Sequence, residues 1–259
     1  MRHLTDTHAH TVASTHAYST VEEYFRAAAD KGLQLFSITD HGPEMPDSPH
    51  PWHFGNMRVL PRIRYGVAML RGIEANILPT EHRPLDVNET LMSFMDLGIA
   101  SFHEPVFPPS DRKAHTQAMI SAMETGLIQI LGHPGNPNYP INIEEVVRAA
   151  RDNNVLIEIN NSSFVSSRLG SEPYCIEILE TVQALDWKVA LSSDSHVHYT
   201  VGDVDTALEK IERIGFPEDR IVTLNARSLL EFLGEHGKPV ARELSSWLDE
   251  LESPDILEL

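Results

Sequence analysis

The sequence predicts an α/β fold, a closed or nearly closed barrel of parallel strands. Short apolar runs alternate with amphipathic stretches seven times, and β-then-α units of this kind imply a parallel sheet. No Gly/Ser linker, repeat or low-complexity tract divides the 259 residues, a length that suits one α/β barrel. Histidines and carboxylates recur where the apolar runs stop, and a barrel gathers those strand ends on one face.

The first strand contains His3 and ends in Thr5-Asp6-Thr7-His8-Ala9-His10. On extended backbone His8 and His10 point to the same side. His16 follows in a Ser/Thr/Ala loop. Residues Thr20 to Lys31 read as a helix, with Ser19 or Thr20 to cap it, Glu22 and Glu23 in its first turn and Gly32 to stop it. Leu33 to Thr39 alternates as a strand and runs into Asp40-His41-Gly42. Pro43 to Pro51 is a Pro-rich loop. Val67 to Ile73 is a strand ending at Glu74, Asn88 to Met95 a helix, and Leu97 to Phe102 a strand ending at His103. Asp111 to Thr125 is a helix, and Leu127 to Leu131 a strand before Gly132-His133-Pro134-Gly135. Helix Ile143 to Asn153 and strand Val155 to Ile159 lead to Asn160-Asn161-Ser162-Ser163. Helix Glu172 to Leu185 and strand Lys188 to Leu191 lead to Ser192-Ser193-Asp194-Ser195-His196. Helices over Gly202 to Ile214, Ala226 to Leu233 and Pro239 to Leu251 complete the chain, with an acidic, frayed end.

Composition narrows the function. The formal net charge is −18, which repels nucleic acid and anionic membranes unless a local positive site offsets it. One cysteine, Cys175, leaves no intramolecular disulfide and no Cys₄ zinc site. With no apolar signal region and no apolar run of about 20 residues, the expected location is the cytoplasm.

Nine residues form the candidate metal-ligand set: His8, His10, His16, His41, Glu74, His103, His133, Asp194 and His196. All but His16 sit at or just after a strand end. One histidine there is more often a hydrogen-bonded turn residue than a ligand, and Gly42 and Gly132 with their neighbouring prolines suit plain turn chemistry. That explanation must be invoked separately at six strand ends. Seven imidazoles and two carboxylates on one rim are costly to bury unpaired, and metal ions resolve the cost. Nine ligands suit two or three ions, and nitrogen-rich ligation favours zinc, manganese or iron over magnesium or calcium. His3, His50, His53, His115 and His236 lack this context and read as surface or structural. His198 flanks the site, and His82 lies in the Pro79-to-Pro84 loop. Asp6 and Asp40 adjoin ligands and are candidates either to orient imidazoles or to cap turns. Cys175 reads as a small buried residue.

The motifs Asp6-Thr7-His8-Ala9-His10, Thr39-Asp40-His41-Gly42, Gly72-Ile73-Glu74, Gly132-His133-Pro134 and Ser192-Ser193-Asp194-Ser195-His196 resemble, in order, those of the polymerase and histidinol phosphatase (PHP) family. The similarity runs to the mid-220s, and the short chain and Pro-rich loop resemble its YcdX-like bacterial phosphatase branch. The resemblance implies a distorted (β/α)7, TIM-barrel-like fold, one hydrolase domain over residues 1–259, and a trinuclear, usually zinc, centre at the C-terminal rim. By matching motif, His8, His10, Glu74 and Asp194 would hold one ion. Glu74, bridging, would hold a second with His103 and His133, and His16, His41 and His196 the third. The residues expected to matter most for catalysis are Glu74, Asp194 and His196. A homo-oligomer, specifically a trimer, is also implied.

Divalent ions lower the pKa of a shared water and neutralise phosphoryl oxygens as charge builds. The expected activity is hydrolysis of a small phosphomonoester by a metal-activated hydroxide. Asn160, Asn161 and Arg168 are candidates to hold the phosphate, Arg168 being equally readable as a solvated loop cation. A PHP-type nuclease or polymerase-associated module is the alternative enzyme, and a metal-binding regulatory protein with little turnover the alternative of another class.

Overall fold

The computed structural model describes residues 1–79 and 83–251. His82 and the acidic end after Leu251 lie outside the described residues. Eight strands form: β1 (Thr5–Asp6), β2 (Leu35–Ile38), β3 (Ile63–Arg64), β4 (Val67–Asn76), β5 (Leu97–Ser101), β6 (Ile130–Leu131), β7 (Leu156–Asn160) and β8 (Val189–Ser192). Their order is β1-β2-β4-β5-β6-β7-β8, every neighbour parallel, with β3 antiparallel on β4. The seven-stranded parallel barrel is the expected one, and the β3–β4 hairpin is an addition.

The barrel closes through a seam rather than a ladder. Near the rim, Ala9 and Ser195 form a single parallel bridge, with His10 N–H donating to Ser195 O at 2.8 Å and Ser195 N–H to His8 O at 3.1 Å. At the other end the apolar run 221–224 wedges between β8 and β1. Thr223 Oγ1 donates to Leu191 O at 2.9 Å and accepts from Leu191 N–H at 2.7 Å, and Leu4 N–H donates to Leu224 O at 2.8 Å. This wedge distorts the barrel and keeps β1 to two residues, so His3 lies outside the strand expected to hold it.

Period-2 alternation divides the strands between two cores. Leu35, Ala68, Leu70, Leu97, Ile99, Ile130, Leu156 and Ala190 form the inner cluster, which the C-terminal helices complete through Leu229, Leu233, Val240, Leu244 and Leu248. Residues one position away, such as Phe36, Met69, Ile73, Leu131, Ile157 and Leu191, pack outward on the helical layer. Each buried aliphatic side chain contributes about 1.5–3 kcal/mol. The inward series continues up the strands: Leu70 leads to Glu74 and Asn76, and Leu156 to Glu158 and Asn160. The same face is therefore apolar low in the barrel and polar at its top.

Helix starts follow the sequence closely. Thr20 caps Val21–Asp30 in a capping box with Glu23, and Asn88, Asp111, Asn142 and Asn225 cap four others, each cap contributing about 1 kcal/mol. Other expectations change, the strand expected over Leu127 to Leu131 shortening to Ile130–Leu131 among them. Strand β4 continues through Glu74 to Asn76, because its upper half pairs with β5 from Gly72 to Asn76. The helix expected from Gly202 starts at Asp205: Gly202 has φ +74° and its N–H is held by Asp6. The last helix is two, Val240–Glu243 and Ser245–Leu251. Buried Leu244 bends the path between them, so that it, Val240 and Leu248 all reach the inner core.

Candidate functional site

All nine candidate ligands meet at the top of the barrel, around Glu74. The two oxygens of this buried carboxylate face five imidazoles. Oε1 lies 3.0 Å from His133 Nε2 and 3.3 Å from His8 Nε2. Oε2 lies 3.3, 3.4 and 3.5 Å from the Nε2 atoms of His41, His103 and His10. Asp194 closes the other side, its Oδ1 3.6 Å from His8 Nε2 and 3.5 Å from His10 Nε2. His16 and His196 form the outer edge, Nε2 to Nε2 at 3.0 Å. Among the described residues four groupings have ligand atoms close enough to share an ion: His8-His10-Asp194, His41-Glu74-His103, His10-His41-His196 and His16-His41-Asp47. The first holds three of the four residues expected around His8, and Glu74 groups instead with His41 and His103. His10 and His41 each belong to more than one grouping, so the described geometry shares ligands more than the expected partition does.

The imidazoles are oriented by residues the sequence reading passed over. Glu158, in β7, accepts from His8 Nδ1 at 2.7 Å, His133 N–H at 2.6 Å, Ser192 Oγ at 2.5 Å and Asn160 Nδ2 at 3.2 Å. Asn76 Oδ1 accepts from His103 Nδ1 at 2.7 Å. Asp47 accepts from the Nδ1 atoms of both His16 and His41. Because a carboxylate or carbonyl oxygen only accepts, these bonds place hydrogen on Nδ1 and leave Nε2 as the inward lone pair. The signal for Glu158 was present: it is a lone acid in Leu156-Ile157-Glu158-Ile159-Asn160, two residues above an inward leucine. Asn76 stands likewise two residues above Glu74. Asp47, in the Pro-rich loop, carries no such signal.

Asp6 and Asp40 have the turn-anchoring role. Asp6 accepts from the N–H groups of His8, Ser193 and Gly202. Asp40 binds Thr11 N–H, Thr11 Oγ1 and Ser14 Oγ, each at 2.8 Å, and so holds the loop that carries His16. Among the described residues the imidazole it hydrogen-bonds is His53, at 3.0 Å. Three further histidines are structural: His115 binds Ser110 N–H and Pro140 O, His236 binds Phe232 O and Asn154 O, and His198 pairs with Ser19. Gly132 is required by crowding, since a Cβ there would stand 2.1 Å from Ser101 Oγ. Cys175 is buried, its thiol pushed up to about 12.

Electrostatics favour bound cations. Glu74 and Asp194 are held well below the carboxylate range: burial opposes ionisation, but His103 and His8 outweigh it for Glu74, and His8 and Arg168 for Asp194. Glu158 is lowered too, its burial outweighed by His8. Without another cation, His8 itself is driven to hold a proton, its burial overcome by Glu158, Glu74 and Asp194. Burial, then the neighbouring His10, lowers His41 to about 3 and His196 to about 4. Both shifts favour the neutral, lone-pair-donating form of the ring. His10 is fully buried with no partner for Nδ1, while its Nε2 faces His8, Glu74 and Asp194. One ring hydrogen cannot satisfy that set, whereas a divalent cation can. Donor chemistry and geometry therefore fit a nitrogen-rich metal centre.

A cavity of about 200 Å³ opens on this set, lined by His16, His41, His103, Arg168, Asp194 and His196 among others. A neighbouring cavity of about 820 Å³ shares Arg168 and Asp194 and extends along Ser162, Ser167 and Thr200. Arg168 Nη2 bonds Asp194 Oδ2 at 2.9 Å, so it is part of the site and not a solvated loop cation. Asn160 uses its amide on Glu158 and Asp194, and Asn161 Oδ1 accepts from Ala207 N–H. His133, Arg168 and Asp194 have φ of 30°, 51° and 57°, left-handed backbone that clusters at functional sites.

The PHP-domain family model matches residues 6–162. A protein of Shewanella frigidimarina (strain NCIMB 400), described as a probable phosphatase, is 51% identical over 249 residues, covering 96% of this chain and 100% of its own length. One from Enterobacter sp. (strain 638), also described as a probable phosphatase, is 50% identical over 234 residues, covering 90% of this chain and 95% of the relative. Among solved structures, histidinol phosphate phosphatase from Lactococcus lactis, complexed with zinc, L-histidinol and phosphate, is similar in fold. Its TM-score is 0.58 at 17% identity, covering 86% of this chain and 97% of that one.

Proposed function

The chain belongs to the PHP-domain family, and from that membership and the rim geometry we infer a metal-dependent phosphatase acting on small phosphomonoesters. The observation that carries this reading is the convergence of five imidazoles on the two oxygens of Glu74. His8, His10, His16, His41, Glu74, His103, His133, Asp194 and His196 would hold three ions, zinc by preference, with Glu74 shared between two of them. Bound there, the ions supply a water of lowered pKa and positive charge against the phosphoryl oxygens.

The chain's own groups do the rest. Arg168 presents a guanidinium at the cavity wall, held by Asp194 and Ser167, and its remaining N–H groups bind a phosphate oxygen. Glu74, Asp194 and Glu158 stay ionised and set the site's demand for cations. His41 and His196, which burial and then His10 push toward the neutral form, serve as lone-pair donors. In the net reaction a water oxygen bonds to phosphorus, and the ester P–O bond breaks with its electrons on the alcohol oxygen, which takes up a proton.

The large negative charge of the chain argues against a nucleic-acid substrate. Among the described residues no helix is long and apolar enough to cross a membrane. The single buried cysteine suits the reducing cytoplasm, and the homotrimer rests on family resemblance. Hydrolysis of a panel of phosphomonoesters, before and after chelation and after zinc is restored, tests the reading. Activity lost with the metal and regained with it supports it; no hydrolysis by the metal-loaded protein overturns it.

A further inference from the structure

The outer edge of the site is assembled differently from the rest. His16 lies between β1 and helix Val21–Asp30, and is half exposed. No strand carries it. The ring facing it, His41, lies just beyond the end of β2. Between their outward nitrogens sits one carboxylate, Asp47, with Oδ2 on His16 Nδ1 and Oδ1 on His41 Nδ1 at 3.2 Å. Both inward Nε2 atoms then face the site: His41 toward Glu74 at 3.3 Å, His16 toward His196 at 3.0 Å.

We propose that Asp47 is the positioning residue for the outermost ion, fixing the tautomers of His16 and His41 together and so tying that ion's binding to the folding of the Pro43–Pro51 loop.

The argument is one of hydrogen-bond inventory. A neutral imidazole has one N–H, and only the other nitrogen can bind metal. A carboxylate offers acceptors on both oxygens, so one aspartate requires Nδ1–H on two rings at once. An asparagine of the same size can accept on one side and must donate on the other. The loop is secured locally: Glu44 N–H donates to Asp86 Oδ2 at 3.0 Å, Met45 N–H to Gly42 O at 3.1 Å and Ser48 N–H to Met45 O at 3.0 Å. Asp47 is its connection to the imidazoles. Loss of that connection should therefore act on one ion and leave those near Glu158 untouched.

The inference rests on the metal-centre reading above, and the experiment separates the two. Zinc content and chelator-competition affinities are measured on the full chain for wild type, Asp47→Asn and Asp47→Glu. In parallel, nitrogen-resolved NMR of the metal-free proteins reports which ring nitrogen of each histidine carries hydrogen. The expected result is one zinc weakened about 10- to 100-fold in Asp47→Asn, the others unchanged, with partial recovery in Asp47→Glu. In the metal-free Asn variant, His16 or His41 should move to the Nε2–H form while His8 keeps Nδ1–H. Unchanged zinc affinities, or equal weakening of every ion, overturn the proposal. So does loss of one zinc with both tautomers unchanged, which would make Asp47 a direct ligand only. A wild-type chain that holds one ion or none overturns the metal-centre reading beneath it, and this proposal with it.

Discussion

The inner and outer halves of the rim use the same residue types and hold them by different means. On the inner half, His8, Glu74, His133 and Asp194 are buried, and a buried acid inside a strand, Glu158, ties β7 to the segments after β1 and β6 and to the end of β8. On the outer half, His16 and His196 are partly exposed, side chains 51% and 31%, and the anchoring acid comes from a loop. Ligands inside a strand, as Glu74 is, or two residues beyond its end, as His8, His133 and Asp194 are, inherit their positions from barrel pairing, which costs many kilocalories per mole to disrupt. Loop-borne ligands depend on a few hydrogen bonds of about 1 kcal/mol each. The same chemistry on two such supports should give graded metal affinity, tight inside and exchangeable outside.

The strongest way to break the comparison is Glu74→Gln. Gln keeps the shape but loses the charge and one anionic oxygen, so kcat should fall by a factor on the order of 10² or more and bound zinc should drop. The apo fold should persist, since the barrel core is unaltered. Near-normal turnover and zinc content would remove Glu74 from the centre.

Acid sharpens the contrast between metal loss and unfolding. The His3 ring is buried, and burial, partly offset by the backbone of Leu191, lowers it to about 4. Between the ordinary 6.5 and about 4 the unfolded chain takes up a proton that the folded chain refuses. The stability His3 allows is complete above pH 6.5 and is lost as pH falls toward 4, by at most about 3 kcal/mol. His3→Leu should flatten acid denaturation of the metal-free protein while the pH at which zinc leaves stays put. Parallel shifts in both curves would mean that metal loss merely follows unfolding.

Glu158→Gln should weaken an inner zinc about 10- to 100-fold, because His8 loses its ionised partner, with the outer ion retained. Equal weakening of every ion would erase the distinction between the halves. Smallest is Thr20→Ala: loss of the capping box should cost about 1 kcal/mol in thermal or denaturant unfolding and leave zinc content unchanged.

Most of the barrel was legible because its strands are apolar, short and stopped by polar residues, and its helices start on Thr20, Asn88, Asp111 and Asn142. The β3–β4 hairpin was not, since Ile63 and Arg64 are exposed and two residues carry no periodicity. The bend at Leu244 was hidden because an unbroken amphipathic pattern looks the same whether or not the helix turns to reach a core. At the site, His8, Glu74 and His133 were readable from their strand ends. The groups that orient them divide by support: Glu158 and Asn76 follow from the inward period of β7 and β4, whereas Asp47 reaches His16 and His41 only through loop conformation.

Counting the ions as they leave tests the central claim most directly. Protein purified without chelator is assayed for metal, then again at intervals during exposure to a weak chelator, with circular dichroism to follow the fold. The account predicts three ions per chain at the start, one lost well before the others, and an intact barrel after that first loss. One ion or none at the start, or all three leaving together, would contradict it.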